Sequence, residues 1–305
     1  KESINEIRLF PHNFDNQEVL QHQLLITSNP IVEISKDFYG NSVGHFNILE
    51  SHNEMTIESR MVVRVNHSLK IPEIDATKVE DLKIEKEKNS SLLRLCSPET
   101  ITQQKKIIAF LKKINAAEIP IIEIAQKCNE YIFKNFTYTK GITDIETTLD
   151  EILVHKKGVC QDFAHVLLQF LRTAGIPSRY VSGYICPNAS GLRGEGATHA
   201  WVEFYTPTQG WLGLDPTNNI WTMDNHVKLS VGRDFYDCTP VKGTFKGYAK
   251  QTLSVSVSIG YEDGRQFEEV NNVKLRKVSE EVQRQLDLIE YQYQLQLRQQ
   301  QQQQQ

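Results

Sequence analysis

The chain has 305 residues, 39% hydrophobic and 24% charged, which is enough apolar material for a large core and enough length for two domains. No apolar run approaches the length of a membrane span, and 34 Lys and Arg against 38 Asp and Glu leave a formal charge of −4, so neither a membrane nor a nucleic acid is an expected partner. The five cysteines are scattered and never form a C-x-x-C pair, which argues against a disulfide framework and a structural zinc site and fits a reducing cytoplasm; a leader removed ahead of Lys1 would leave no trace.

Residues 1–90 read as a small antiparallel β domain. The stretches "EVLQHQLLITS", "IVEISKDF", "VGHFNILES" and "NEMTIESRMVVRV" are short, largely alternating and rich in Val, Ile and Thr. Hairpin punctuation comes from "YGN" at 39–41. The next stretch, "KVEDLKIEKEKNSS", is charged and poorly patterned. At "SPETITQQKKIIAFLKKI" the period turns helical, with Ser97 as cap and Pro98 in the first helical position. Two more helices are expected in "IIEIAQKCNEYIFKNF", whose apolar face carries Cys128, and in "TTLDEILVHKK", where Thr147 and Asp150 have capping-box spacing.

In "GVCQDFAHVLLQFLRTAG" the residues Phe163, Ala164, Leu167, Phe170, Leu171 and Ala174 recur at helical steps, and Gly175 with Pro177 ends the run. Cys160 therefore falls in the first turn, where unpaired N–H groups and the positive end of the helix dipole favour an anion. It shares the buried face with Ala164, Leu167 and Leu171, so its sulfur should point at whatever the helix packs against. Beyond Gly175, "SRYVSGYI", "THAWVEFY", "GWLGLD", "HVKLSVG" and "QTLSVSVSIGY" are strand candidates. Helices followed by antiparallel strands define an α+β class, with a core expected over 97–262. Residues 276–305 carry apolar side chains near heptad spacing before a Gln run; a C-terminal helix or tail docking on its own domain is expected there, with self-association through that helix as the alternative.

Strand parity brings the cysteine two partners. Residues 199, 201, 203 and 205 share one face of "ATHAWVEFY", and 211, 213 and 215 share one face of "GWLGLDPTN". A hairpin centred at Pro207 sets His199 directly opposite Asp215, where Cβ atoms are ~5 Å apart. A thiol, an imidazole and a carboxylate are the set that nucleophilic acyl transfer requires. Blander roles stand beside them: His165 as a helix histidine or outer donor, Asp162 as complement to the dipole or a substrate contact with Gln161, and Trp201 as a wall of the site or core filler. The Gly-rich loop 188–198, with Arg193, reads equally as a mobile lid or an ordinary connection. A metal held by Cys160, His199 and Asp215 lacks a fourth ligand in the sequence.

At these residues the chain resembles the transglutaminase-like superfamily. Three blocks carry the resemblance in order: "GVCQDFAHVLLQFLRTAGIPSRYVSGY", "THAWVEFY" and "GWLGLDPTN". The N-terminal region with "DFYGN", and "VGRDFYDCTPVKGTF" after the last block, are similar to a bacterial branch with a transglutaminase-like N-terminal domain. The resemblance implies a papain-like α+β core in which the cysteine-bearing helix packs on an antiparallel sheet. It also implies Cys160 as nucleophile, His199 as base and Asp215 as orienting carboxylate, acting on a peptide or small amide without a cofactor. Animal cross-linking members carry an upstream Trp and calcium sites, whereas "FKNFTYTKG" offers Phe136 and Tyr138 and no calcium loop appears. Hydrolysis is thus expected over cross-linking of glutamine side chains, and an inactive binding module with the same fold is the alternative from another class.

Overall fold

The computed structural model describes residues 2–14, 16–66, 75–142, 147–186, 192–194, 198–245, 252–261 and 266–273. The chain opens with β1 (Ser3–Ile7), which its charged sequence did not announce, then β2 (Gln17–Ile26), β3 (Glu33–Lys36), β4 (Ser42–Ile48) and β5 (Ile57–Val65). β2 and β5 form an antiparallel ribbon, while β3, β4 and β1 are neighbours in a four-stranded sheet. The "YGN" segment makes the β3–β4 hairpin: the Asp37 carboxylate accepts from the Tyr39 and Asn41 N–H groups at 2.9 and 3.0 Å, and Gly40 supplies φ 85°.

Two expectations fail in the next segment. The poorly patterned stretch after residue 77 folds into a 3₁₀ turn, α1 (Leu82–Lys88) and α2 (Ser90–Arg94). Its sparse apolar residues suffice because Leu82 and Leu92 are both buried, and Asn89 caps α2 by accepting from Ser91 N at 3.0 Å. The following helix, α3 (Gln104–Lys113), starts well after Ser97 and Pro98. Gln169 pairs with both the N–H and the carbonyl of Glu99 at 2.8 Å, which takes that residue's backbone out of any helical ladder. The Asp150 carboxylate then accepts from Thr102 N and Gln103 N, both at 2.9 Å.

α4 (Ile121–Asn135) buries Ile121, Ile124, Ala125, Cys128 and Ile132 as expected. After β6 (Thr137–Tyr138) comes α5 (Leu149–His155), whose capping box is Thr148 with Glu151, one residue beyond the predicted pair. Asp150 is occupied at α3, and Glu151 accepts from Thr148 N at 2.8 Å instead. β7 (Lys157–Gly158) pairs in parallel with β6 and leads into α6 (Cys160–Thr173).

The core sheet contains β8 (Ser178–Ile185), β9 (Thr198–Thr206), β10 (Gly210–Asp215), β11 (Ile220–Trp221) and β12 (His226–Gly232), in the antiparallel order β11-β10-β9-β8-β12. α6 packs on the face that carries Ala200, Val202, Phe204, Leu212 and Leu214. His199, Trp201 and Glu203 project from the other face by strand alternation. A short α7 (Phe235–Cys238) precedes β13 (Val241–Phe245), which returns to the N-terminal sheet and pairs with β1. β14 (Leu253–Gly260) and β15 (Gln266–Val273) form a hairpin. The C-terminal helix expected over 276–305 lies outside the described residues. Helices on an antiparallel sheet, beside a small β unit, make this an α+β fold.

The β9–β10 register differs from expectation by two residues. Leu214 pairs with Val202 and Gly210 with Thr206, so the hairpin is centred on Thr208 rather than Pro207. Gly210, at φ 71°, closes the turn in a left-handed conformation that residues with a Cβ avoid. Because the shift is even, His199 and Asp215 keep their common face and become diagonal neighbours.

Candidate active site

The start of α6 is built by residues on both sides of Cys160. Val159 is extended (φ −114°, ψ −175°), and its N–H donates to the Asp162 carboxylate at 2.8 Å. This explains Gly158: a Cβ there would stand 2.5 Å from Asp162 Oδ2. No side-chain oxygen caps the first turn from Val159, so its N–H groups and dipole are directed at the thiol end of the helix. Cys160 is partly exposed and packs against the main core, while Asp162, only 4% exposed, serves the helix start.

His199 and Asp215 are both buried, and His199 Nε2 lies 2.9 Å from Asp215 Oδ2. The other ring nitrogen, Nδ1, makes no hydrogen bond of proper length and angle among the described residues. The Cys160 side chain is nonetheless close enough to raise the basicity of the ring. Burial would lower the basicity of His199, but the Asp215 charge, and then Cys160, outweigh it and hold its pKa above the ordinary value. Burial likewise opposes ionisation of Asp215, and the two histidines, His199 first, override it and depress the carboxyl. The three predicted residues are thus brought into one neighbourhood by a helix start and two strands.

Asp215 is held from several sides. Its Oδ1 accepts from Thr217 N at 2.8 Å and Asn218 N at 3.3 Å, and its Oδ2 also accepts from Asn218 Nδ2 at 2.7 Å. Asn218 reaches on to the loop at 193, accepting from Arg193 N at 2.7 Å and donating to Arg193 O at 3.2 Å. That loop sets Gly194 over the imidazole, where a Cβ would be 3.1 Å from His199 Nδ1. Asn218 escaped the sequence reading although "DPTNN" is a turn signal, because an Asx turn alone does not show that the amide also ties down a loop.

Other candidates fall into place around this centre. His165 accepts from Phe235 N at 3.2 Å, and burial pushes its pKa down to about 4, so it is a neutral packing histidine. Trp201 is buried with Val181 and Val231, its ring 6.3 Å from that of His199 and edge-on to His226 at 5.2 Å. His226 Nε2 lies 3.5 Å from Asp215 Oδ2. Ligand atoms of His199, Asp215 and His226 fall within 4.8 Å of one another, the grouping among the described residues dense enough to consider for a metal. Their side chains are closed to solvent and His199 already spends Nε2 on a hydrogen bond to Asp215, so the set fits a hydrogen-bonded cluster better than an ion site with an open position.

Family comparison agrees with this architecture. The Transglutaminase-like superfamily profile matches residues 108–216, and the Bacterial transglutaminase-like N-terminal region matches residues 1–64. The chain belongs to the transglutaminase-like superfamily, in the branch that carries that N-terminal region. A Mycobacterium tuberculosis protein is 32% identical over 272 residues, covering 82% of this chain and 84% of its own length. The crystal structure of a "Putative Cysteine Protease" from Cytophaga hutchinsonii superposes with a TM-score of 0.64 at 19% identity, covering 91% of this chain and 87% of the other, and shares the fold. A protein-glutamine gamma-glutamyltransferase from Pseudomonas aeruginosa is 33% identical over 105 residues, which is 33% of this chain and 16% of that protein.

Proposed function

We propose that the chain is a cysteine-dependent acyl-transfer enzyme that opens an amide bond through a thioester, with water as the preferred acceptor. Cys160 is the nucleophile, His199 the base and acid, and Asp215 the carboxylate that orients the ring. The observation that carries this reading is the His199 imidazole, bonded to a buried carboxylate through Nε2 and acted on by the Cys160 side chain. Attack of the thiolate on the amide carbonyl forms a C–S bond and an oxyanion, which N–H groups of the first α6 turn can stabilise. His199 gives its proton to the nitrogen as the C–N bond breaks, and the amine leaves. The ring then takes a proton from water as it attacks the thioester, and the sulfur departs with the acid released.

Transfer to an amine is the second reading, favoured by the local likeness to the Pseudomonas protein-glutamine gamma-glutamyltransferase. An amide library incubated with and without an added primary amine, and assayed for the acyl product, separates the two: hydrolysis yields the free acid and transfer a new amide. Cys160→Ala should abolish both outcomes. Selective alkylation supplies a test free of any substrate choice. Burial pushes the thiols of Cys96, Cys128 and Cys238 up, and that of Cys186 up to about 11. At about pH 5 iodoacetamide should therefore label Cys160, the partly exposed thiol beside the imidazole, ahead of the other four. Equal or faster labelling of another cysteine overturns the assignment and leaves a binding module with this fold.

A further inference from the structure

A second histidine stands behind the carboxylate. His226 is 4% exposed at the start of β12, and its Nε2 faces Asp215 Oδ2 at 3.5 Å. Its other nitrogen is placed as an acceptor, since Met223 N donates to Nδ1 at 3.3 Å. The Asn225 amide stands with Oδ1 2.9 Å from the same nitrogen, while its Nδ2 has no partner among the described residues. An Asn225 amide turned so that Nδ2 faces the ring satisfies both groups. With Nδ1 accepting, the ring proton sits on Nε2 and points at the carboxylate.

We propose that His226 is a positioning residue: its Nε2–H donates to Asp215 Oδ2 on the side away from the sulfur, and so keeps the carboxylate ionised and aimed at His199. The proposal rests on the reading of Cys160, His199 and Asp215 given above. Three titratable groups act on the ring. Asp215 and Asp224 favour its protonation, and the cationic His199 opposes it. Burial is the largest influence and keeps His226 below its ordinary pKa, which fits a neutral donor. A charged ring would instead compete with His199 for the one carboxylate. The contact is long for a hydrogen bond, and catalytic hydrogen bonds tighten as a site engages its substrate. The Trp201 ring, edge-on to His226, limits where the imidazole can turn.

The test compares His226→Gln, which keeps a donor near the Nε2 position, with His226→Met, which has its length without the donor. The readout is the pH dependence of Cys160 alkylation by iodoacetamide in the full chain, with thermal unfolding measured alongside. In His226→Met the acid limb should move up by about one pH unit and labelling at low pH should slow about tenfold. His226→Gln should stay close to wild type. Equal shifts in both variants, or a wild-type profile in His226→Met, would overturn the proposal. Should His226→Met fail to fold, imidazole nitrogen chemical shifts of the wild-type protein decide: a neutral Nε2–H ring from about pH 5 to pH 8 is expected, and an Nδ1–H or protonated ring contradicts it. If wild-type Cys160 itself lacks rapid labelling at low pH, the acyl-transfer reading fails, and the ring-state measurement still judges His226.

Discussion

Gly194 shows how much of the candidate site depends on one missing methyl group. Its φ of 79° is a left-handed value, and a Cβ there would stand 3.1 Å from His199 Nδ1, on the nitrogen left free by the Asp215 bond. Gly194→Ala should therefore act twice. The backbone strain costs about 1–2 kcal/mol, a shift of a few degrees in unfolding temperature for a chain of this size. The methyl also crowds the ring, and small displacements of reacting groups carry large kinetic penalties, so turnover should fall at least about tenfold. Steady-state kinetics beside a thermal melt would separate the effects, and unchanged turnover would mean the loop lifts clear of the imidazole. Cys160 at a helix start and His199 and Asp215 on one strand face were legible from the local pattern. His226 was not. Its strand lies beyond β8 and β9 from β10 in the sheet order, and no spacing within one hairpin reports a contact across that distance.

At the scale of elements, even-numbered errors were harmless and local ones were not. A two-residue slip in the β9–β10 hairpin preserved the shared face of His199 and Asp215, since side chains alternate with period two. The helix starts shifted because their caps come from far along the chain: Gln169 and Asp150 decide where α3 begins. Glu203 illustrates the same non-local control within the sheet. It sits on β9, 4% exposed, with Arg179 of β8 at 2.6 Å and Lys228 of β12 as its partners. Burial by itself would raise its pKa, but Arg179 and then Lys228 outweigh it and bring it down to about 2. A depressed carboxyl contributes stability that is complete above its unfolded-state pKa, ordinarily about 4.3 for Glu, and that disappears as pH falls through the folded value. Acid titration of wild-type stability should thus show a loss of about 3 kcal/mol from this group between roughly pH 5 and pH 2. Glu203→Gln should lack that component and be destabilised at neutral pH by about 3–5 kcal/mol, because two buried cations lose their counterion. Denaturant unfolding at several pH values checks both, and parallel pH profiles for the two proteins would rule the triad of charges out as a stabilising unit.

Across the whole molecule, the N-terminal strands complete the core sheet without joining its ladder. β12 is an edge strand, whose outer N–H and C=O groups would ordinarily be open to pairing with another chain. Two side-chain amides occupy them. Asn41 accepts from Val231 N at 2.8 Å and donates to Val231 O at 2.7 Å, while Gln17 does the same for Lys228, both at 2.8 Å. Both amides are buried, at 1% and 3% exposure, and they flank the irregularity in β12 between Lys228 and Ser230. β13 binds in the opposite direction, leaving the core to extend the N-terminal sheet beside β1, and Arg8 N donates to Pro240 O at 2.8 Å. Neither region therefore has a finished surface alone, and heat should unfold them in one transition. Asn41→Leu keeps the volume but leaves two buried backbone groups unpaired, at about 1–3 kcal/mol for each group; Gln17→Met does the same at Lys228. Because both amides brace one strand, their effects should not add, and a double-mutant cycle should return a coupling of about 0.5 kcal/mol or more. Calorimetry of the double variant should resolve two transitions where the wild type shows one, the N-terminal region melting first because it has the smaller core. A double variant that still melts as a single transition at the wild-type temperature would mean that β1–β13 pairing alone unites the molecule.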